Sequence, residues 1–177
     1  MRKRIVNKRH AITQPVFVIL LSFTSIVCYA QAPTDSLPGD PGAINVYTVQ
    51  NLSFGAFSPG TLAGTVIISN AGSRSVTGDV IGLNFGLLYF QAIFDIDAPQ
   101  GSIISILNGP NATLTGSNGG TMSVHIDNSN PGSPFSTVVA QPLRTQVNVG
   151  GTLTVGTAAA SPPGTYSGTI YLTFNQE

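Results

Sequence analysis

Charged residues are scarce in this chain, and most of the basic ones lie at its start. Lys and Arg number seven among 177 residues, and five of them fall within the first nine positions (Arg2, Lys3, Arg4, Lys8 and Arg9). Only Arg74 and Arg144 lie beyond, against seven acidic residues. Binding to nucleic acid or to an anionic membrane surface requires clustered Lys and Arg. We therefore expect neither as a partner.

Cysteine and tryptophan are nearly absent. The sequence has no Trp and one Cys, Cys28, which falls inside the segment that we expect to be removed. A chain without cysteine has no thiol nucleophile, no thiolate zinc site and no disulfide. Its fold must therefore be stabilised by its own hydrophobic core.

The first thirty residues have the features of a secretory signal. The basic head is followed by a mostly apolar run over 16–27 and by the small-x-small exit Cys28-Tyr29-Ala30. That run is shorter than the roughly 20 apolar residues of a membrane-spanning helix, whereas its length and flanks fit a cleaved signal peptide. The sequence predicts cleavage after Ala30 and export to the periplasm, the cell surface or the extracellular space. The processed chain would then carry two basic against seven acidic residues, a formal net charge of −5.

Two further regions follow the predicted signal. Residues 31–43 hold three prolines and two aspartates but few apolar side chains, which indicates a flexible leader. Residues 44–177 then form one predicted domain, since the processed length is that of a single folding unit. No cofactor is expected.

The pattern over residues 44–177 is that of short strands separated by Gly, Asn, Ser and Pro. Eight or nine such runs recur at about ten-residue spacing, which is typical of a sandwich or barrel. Alternating side chains favour antiparallel sheets with one wet face. The predicted fold is an all-β, immunoglobulin-like antiparallel sandwich.

Three segments carry specific predictions. Residues 44–52 place Ile44, Val46, Thr48, Gln50 and Leu52 on one face of a strand. Residues 166–175 alternate without a break and are predicted to form one final strand. Gly150-Gly151 is predicted to make a turn between two strands, with positive φ angles there and at Gly164, while Gly168 would allow close backbone approach.

Most motifs of enzymes are missing. The chain has no G-x-G-x-x-G, no lysine after Lys8 for a phosphate-binding loop, and no G-x-S-x-G elbow. His125 is the sole histidine left after cleavage, so it is the one candidate general base or metal ligand among histidines. A solvated position between Ser123 and Asp127 on the wet face of a strand explains it better. The sequence predicts no catalytic, cofactor-binding or metal-binding residue, and no enzyme.

Paired acids, sequons and aromatic rings offer weaker binding hypotheses. Asp95 and Asp97 share one strand face and could contribute to a calcium site, which needs six to eight oxygen ligands; a polar outer face explains them better. Asn51 and Asn111 begin glycosylation sequons that we take as chance matches. A sugar-stacking platform could use five aromatic residues, although core packing accounts for most phenylalanines. They are Tyr47, Tyr89, Tyr171, Phe54 and Phe57.

Five segments in order resemble an uncharacterised family of secreted bacterial β-sandwich domains, a domain of unknown function. They are NLSFGAFSPG (51–60), GTVIIS (64–69), GSRSVTGDV (72–80), VGGTLTVG (149–156) and PPGTYSGTIYLTFN (162–175). That family is similar in turn to fimbrial-subunit and spore-coat-U-like proteins. The resemblance spans about residues 44–175 and implies a fold and a location, not a reaction. The chain departs from typical pilins in lacking their disulfide.

These observations predict a structural or adhesive surface protein. Its sheet edges have few charges to guard them, so it could assemble with itself or with other surface subunits by strand addition, with residues 44–52 as the exchanging strand. A glycan-binding module is the alternative, suggested by tyrosines and Asn-rich loops.

Overall fold

The computed structural model describes residues 42–177, so the predicted signal (1–30) and most of the predicted leader (31–43) lie outside the described residues. The described chain contains thirteen strands and no helix. The strands are β1 (Asn45–Gln50), β2 (Ser53–Phe54), β3 (Phe57–Ile68), β4 (Arg74–Gly82), β5 (Tyr89–Phe90), β6 (Ala92–Asp97), β7 (Ile103–Asn108), β8 (Ala112–Gly116), β9 (Thr121–Asn130), β10 (Phe135–Ser136), β11 (Thr145–Val155), β12 (Tyr166–Ser167) and β13 (Leu172–Gln176).

Every named strand pair is antiparallel, which confirms the predicted all-β sandwich. The largest sheet has eight strands, with the order β1-β6-β11-β9-β8-β12 and a branch in which β3 joins β11 to β4. A three-stranded sheet has the order β10-β7-β13, and β2 pairs with β5. Four of the thirteen strands have only two residues. The other nine match the predicted number of strands.

Residues from the large and three-stranded sheets share one hydrophobic core. Val66 and Ile68 of β3, Ile104 of β7 and Val147 of β11 have no exposed surface. Phe94 of β6 and Phe174 of β13 bring their rings to 5.4 Å between centroids. Burying side chains of this size contributes about 1.5–3 kcal/mol each, so the core needs no covalent cross-link.

The long strand β11 corrects the prediction of a turn at Gly150-Gly151. Residues 145–149 pair with β6, and residues 151–155 pair with β3, along the same side of β11. On the other side of β11, β9 pairs with both halves, with a register shift between Val149 and Gly151. Neither glycine has a positive φ, nor does Gly164. A Cβ on Gly150 would lie 2.5 Å from the Ile68 carbonyl oxygen. Crowding between backbones, not turn geometry, therefore requires glycine here.

The predicted final strand is divided in two. Tyr166 and Ser167 pair with β8 of the large sheet, whereas residues 172–176 pair with β7 of the three-stranded sheet. The alternation of side chains continues through the break, because Tyr166, Ile170, Leu172 and Phe174 all pack against the core. A Cβ on Gly168 would lie 2.5 Å from the Thr113 carbonyl oxygen, as expected for close backbone approach. The chain thus leaves one sheet for the other without losing its inner face.

Arg74 anchors the loop after β4. Its guanidinium donates hydrogen bonds to the carbonyl oxygens of Ala56 at 3.0 Å and Leu83 at 3.1 Å. It also lies 4.5 Å from the ring centroid of Tyr89. One of the two arginines beyond the predicted signal therefore fixes the start of the 83–88 loop and the short β5 strand behind it.

Asp79 stabilises an irregular segment of the β3–β4 hairpin. Residues 60–63 form extra chain between the paired positions Pro59 and Gly64. The Asp79 carboxylate accepts hydrogen bonds from the Leu62 and Thr61 backbone N–H groups, at 3.0 and 2.6 Å, and from the Thr61 hydroxyl. These bonds, with that from Leu62 foremost, hold the pKa of Asp79 below its ordinary value. Its role is structural.

Candidate functional site

A large apolar groove opens between β1 and β13. It has a cavity volume of about 1270 Å³, and its lining includes Phe94, Leu114, Ile170, Leu172 and Phe174. We call this cavity the β1–β13 groove. The volume exceeds the 300–1,000 Å³ range of ordinary small-molecule pockets. The groove is therefore large enough for a peptide segment.

One wall of the groove is the inner face of β1 and the residues after it. Val46, Thr48, Gln50 and Leu52 all line the cavity. They are four of the five residues that the sequence places on one strand face. The wall from Val46 to Leu52 is about 20 Å long at the usual rise of a strand. β1 is the end strand of the large sheet and pairs only with β6 among the described strands.

Another wall of the groove is β13, the edge strand of the three-stranded sheet. Gly109 donates its N–H to the Tyr171 carbonyl oxygen, and Glu177 donates to Ile103. Antiparallel pairing alternates, so Thr173 and Asn175 also bond toward β7 while Leu172 and Phe174 direct their backbone groups away from it. No strand among residues 42–177 pairs with that outer edge of β13. The groove is therefore bordered by an open strand edge.

A loop of exposed apolar residues forms the rim of the groove. Phe85, Leu87 and Leu88 line the cavity and are between 64 % and 76 % exposed. The Arg74 bond to Leu83 holds the start of this loop. The sequence prediction did not identify this loop, although the exposed run is visible as three large apolar residues around Gly86.

The groove carries no charge. None of the described residues that line it is Asp, Glu, Lys, Arg or His. Apolar side chains supply most of its floor, and the polar lining residues have neutral amide or hydroxyl groups. An occupant with a charged side chain would lose hydration there without gaining a partner.

A second, smaller cleft is polar. It has a volume of about 560 Å³ and is lined by Asn70, Asn108, Asp127, Asn128, Ser129 and Ser133, with Ile106 and Gly132. We call it the polar cleft. Asn108 donates from its amide to the Ile126 carbonyl oxygen at 3.0 Å, and the Thr152 hydroxyl donates to Asp127 at 2.7 Å. The cleft thus combines amide and hydroxyl groups with one carboxylate.

His125 lies beside this cleft on the outer face of β9. Its side chain is 62 % exposed, and Nε2 lies 4.0 Å from the Asp127 carboxylate. Nδ1 is 2.9 Å from the side-chain oxygen of Asn111, so the second sequon asparagine bonds to the histidine. In the described part of the chain, Ser123 on the same strand makes no hydrogen bond to the His125 ring, and no nucleophile is aligned with that ring. The predicted solvated position of His125 agrees with its exposure.

The paired acids lie on the outer face of β6 and face different partners. Asp95 lies between Tyr47 of β1 and Gln146 of β11 in the strand register. Asp97 accepts a hydrogen bond from the Gln141 amide at 2.8 Å. No group of three or more metal-binding side chains occurs in the described part of the chain.

The five aromatic candidates do not form one platform. Phe54 is 9 % exposed and belongs to the core, and Phe57 packs against it. Tyr47 lies on the outer face of β1, where the Arg144 guanidinium covers its ring at 3.9 Å. Tyr89 and Tyr171 are exposed in the β2–β5 sheet and beside β13, respectively. The hypothesis of one stacking site that uses all five rings together is therefore wrong.

Comparison with known proteins identifies a family but no individual relative. A family described as "Domain of unknown function (DUF4402)" matches residues 44–175. Comparisons with curated proteins and with solved structures gave no match. Within residues 42–177, no helix is long and apolar enough to cross a membrane.

Proposed function

We propose that this chain, which belongs to the DUF4402 family of domains of unknown function, is an exported, non-enzymatic structural or adhesive protein of the bacterial surface. Its copies, or other surface subunits, join it by pairing strands at open sheet edges in a fimbria-like manner. The proposed location is the cell surface, the periplasm or the extracellular space. The signal pattern of residues 1–30 supports export.

The observation that carries this proposal is the β1–β13 groove with an open strand edge beside it. An exposed edge presents unpaired N–H and C=O groups to another chain, and soluble proteins usually protect such edges with lysine or other charges. The described residues include no lysine. Both arginines are engaged, Arg74 by carbonyl oxygens and Arg144 by the Tyr47 ring. The edges are therefore poorly protected against pairing.

The resemblance to fimbrial-subunit and spore-coat-U-like proteins supports the same role. It rests on the five segments between residues 51 and 175, among them the final PPGTYSGTIYLTFN. In the structure that last segment supplies β13 and therefore one wall of the groove. The missing disulfide is a departure that this fold accommodates with its apolar core.

The exchanging strand of the proposal is the segment 44–52, which contains β1. Val46, Tyr47 and Val49 are between 39 % and 56 % exposed, so β1 has fewer buried contacts to lose than an inner strand.

We expect the processed chain to form concentration-dependent oligomers in size-exclusion chromatography and chemical cross-linking.

Deletion of residues 44–52 is expected to change this assembly, either by unfolding the domain or by leaving an enlarged, aggregation-prone groove. Circular dichroism separates these two results. Deletion of residues 31–40, which lie before the domain, is the control and should leave assembly unchanged. A processed chain that remains strictly monomeric at high concentration contradicts the proposed assembly.

Glycan binding is a second candidate, and the polar cleft is the observation that favours it. Amide, hydroxyl and carboxylate groups can bond to sugar hydroxyls, and none of the cleft residues is basic. The test is a glycan array probed with and without calcium. Asn128→Ala, in the cleft, should weaken any binding, whereas Asn130→Ala, outside it, should not. An array without binding in both conditions rejects this candidate.

A further inference from the structure

We propose that the β1–β13 groove is an acceptor for one extended, uncharged peptide strand supplied by another polypeptide, which pairs with the outer edge of β13. This inference rests on the proposed function only in that both involve an open strand edge. It specifies the edge that accepts the incoming strand and the chemistry of that strand. It also excludes this chain's own leader as the incoming strand.

The outer edge of β13 offers backbone hydrogen-bonding groups to an incoming strand. Leu172 and Phe174 direct their N–H and C=O groups away from β7, while the side chains of both residues pack against the core. An incoming strand can therefore bond to this edge without displacing any bond between β13 and β7. Addition of a strand to a free edge supplies affinity through the main chain and specificity through alternate side chains.

The lining of the groove determines which side chains the occupant can have. Its floor includes Phe94, Leu114, Met122 and Leu153, and its rim includes the exposed Phe85 and Leu87. Alternate side chains of a strand point to one face, so every second residue of the occupant would contact this apolar floor. The absence of charged lining residues in the described chain selects against Asp, Glu, Lys and Arg at those positions. The matching occupant is neutral and has apolar residues at a spacing of two.

The length of the groove sets the length of the occupant. The β1 wall spans seven residues from Val46 to Leu52, and an incoming strand of about seven to nine residues would cover it at the same rise per residue. A free small ligand would leave much of the cavity empty, since ordinary ligand pockets are smaller.

The leader of this chain does not have the required chemistry. Residues 31–43 read QAPTDSLPGDPGA and contain three prolines and two aspartates. Proline has no N–H to donate to a strand ladder, and the carboxylates would enter an uncharged groove. The accepted strand is therefore not residues 31–43, whether from this chain or from a second copy.

The test uses the purified processed chain and three labelled peptides. The first is a capped nine-residue peptide in which valine alternates with serine, threonine and asparagine. The second has the same sequence with proline at its centre, and the third is the sequence of residues 31–43. Fluorescence anisotropy measures binding, and amide hydrogen exchange read by NMR locates it.

The proposal predicts that only the alternating peptide binds strongly. On binding, the amides of Leu172 and Phe174 gain protection, whereas those of Thr173 and Asn175, already bonded to β7, change little. Thr48→Lys, which puts a cation on the groove wall, is expected to weaken binding about tenfold or more, because an unpaired buried charge is costly. Val49→Lys, at the neighbouring position outside the groove lining, is the matched control and should bind as the unmodified chain does.

The acceptor site is overturned if the proline peptide binds as tightly as the alternating peptide. It is also overturned if binding leaves the amides of Leu172 and Phe174 unprotected, or if the alternating peptide does not bind. These failures are distinguishable from failure of the proposed assembly. A chain that oligomerises while its β13 edge stays unprotected rejects the acceptor site alone. A chain that binds the peptide but remains monomeric at high concentration rejects self-assembly alone.

Discussion

At the scale of single residues, small side chains determine how closely the strands approach. Gly150 lies where β3 meets β11, and a Cβ there would lie 2.5 Å from the Ile68 carbonyl oxygen and 2.9 Å from the Asn70 nitrogen. Both neighbours are backbone atoms and cannot rotate away. Gly132, in contrast, has no atom within 4 Å of its ideal Cβ and no positive φ.

Replacement of these two glycines is expected to have different effects on stability. Gly150→Ala should lower the free energy of unfolding by about 1–3 kcal/mol, since overpacking displaces the backbone. Gly132→Ala should leave stability unchanged or raise it slightly, by reducing the freedom of the unfolded chain. Chemical denaturation of both variants measures this. Equal stability of the two variants would show that the crowding at Gly150 has no energetic consequence.

At the scale of elements, alternation in the sequence predicted faces better than it predicted where strands end or divide. The inner face of residues 44–52 and that of residues 166–174 could be read directly, because a strand alternates its side chains whatever it pairs with. The continuity of β11 could not be read from the sequence, because a Gly-Gly pair is equally compatible with a turn. The decisive contacts at that point come from β3, some eighty residues earlier in the chain.

The division of the last strand has a similar cause. Tyr166 and Leu172 lie on the same inner face, yet one belongs to a strand paired with β8 and the other to a strand paired with β7. The local pattern does not specify the partner of a strand. The β1–β13 groove likewise depends on pairings that bring residues 46–52 and 170–174 together. Sequence alone therefore predicted the inner faces of both segments, and the structure shows that the two segments line one groove.

At the scale of the whole molecule, the chain combines a well-packed core with a groove between two edge strands. Val66, Ile68 and Val155 have no exposed surface, whereas Phe85, Leu87 and Leu88 are mostly exposed beside the groove. A contiguous exposed apolar surface usually marks an interaction site. The buried core thus stabilises the domain, and the exposed apolar surface beside the groove is where the proposed association would take place.

We propose that this domain associates through its open strand edges, and amide hydrogen exchange tests that proposal. Exchange of the processed chain is measured in dilute solution and in the concentrated, assembled state. Assembly should add protection at the edges β1 and β13, while the inner strands β9 and β11 keep the protection they already have. Additional protection of the amides in β9 and β11 with both edges unchanged would contradict association through the edges. The absence of association at any concentration would contradict it as well.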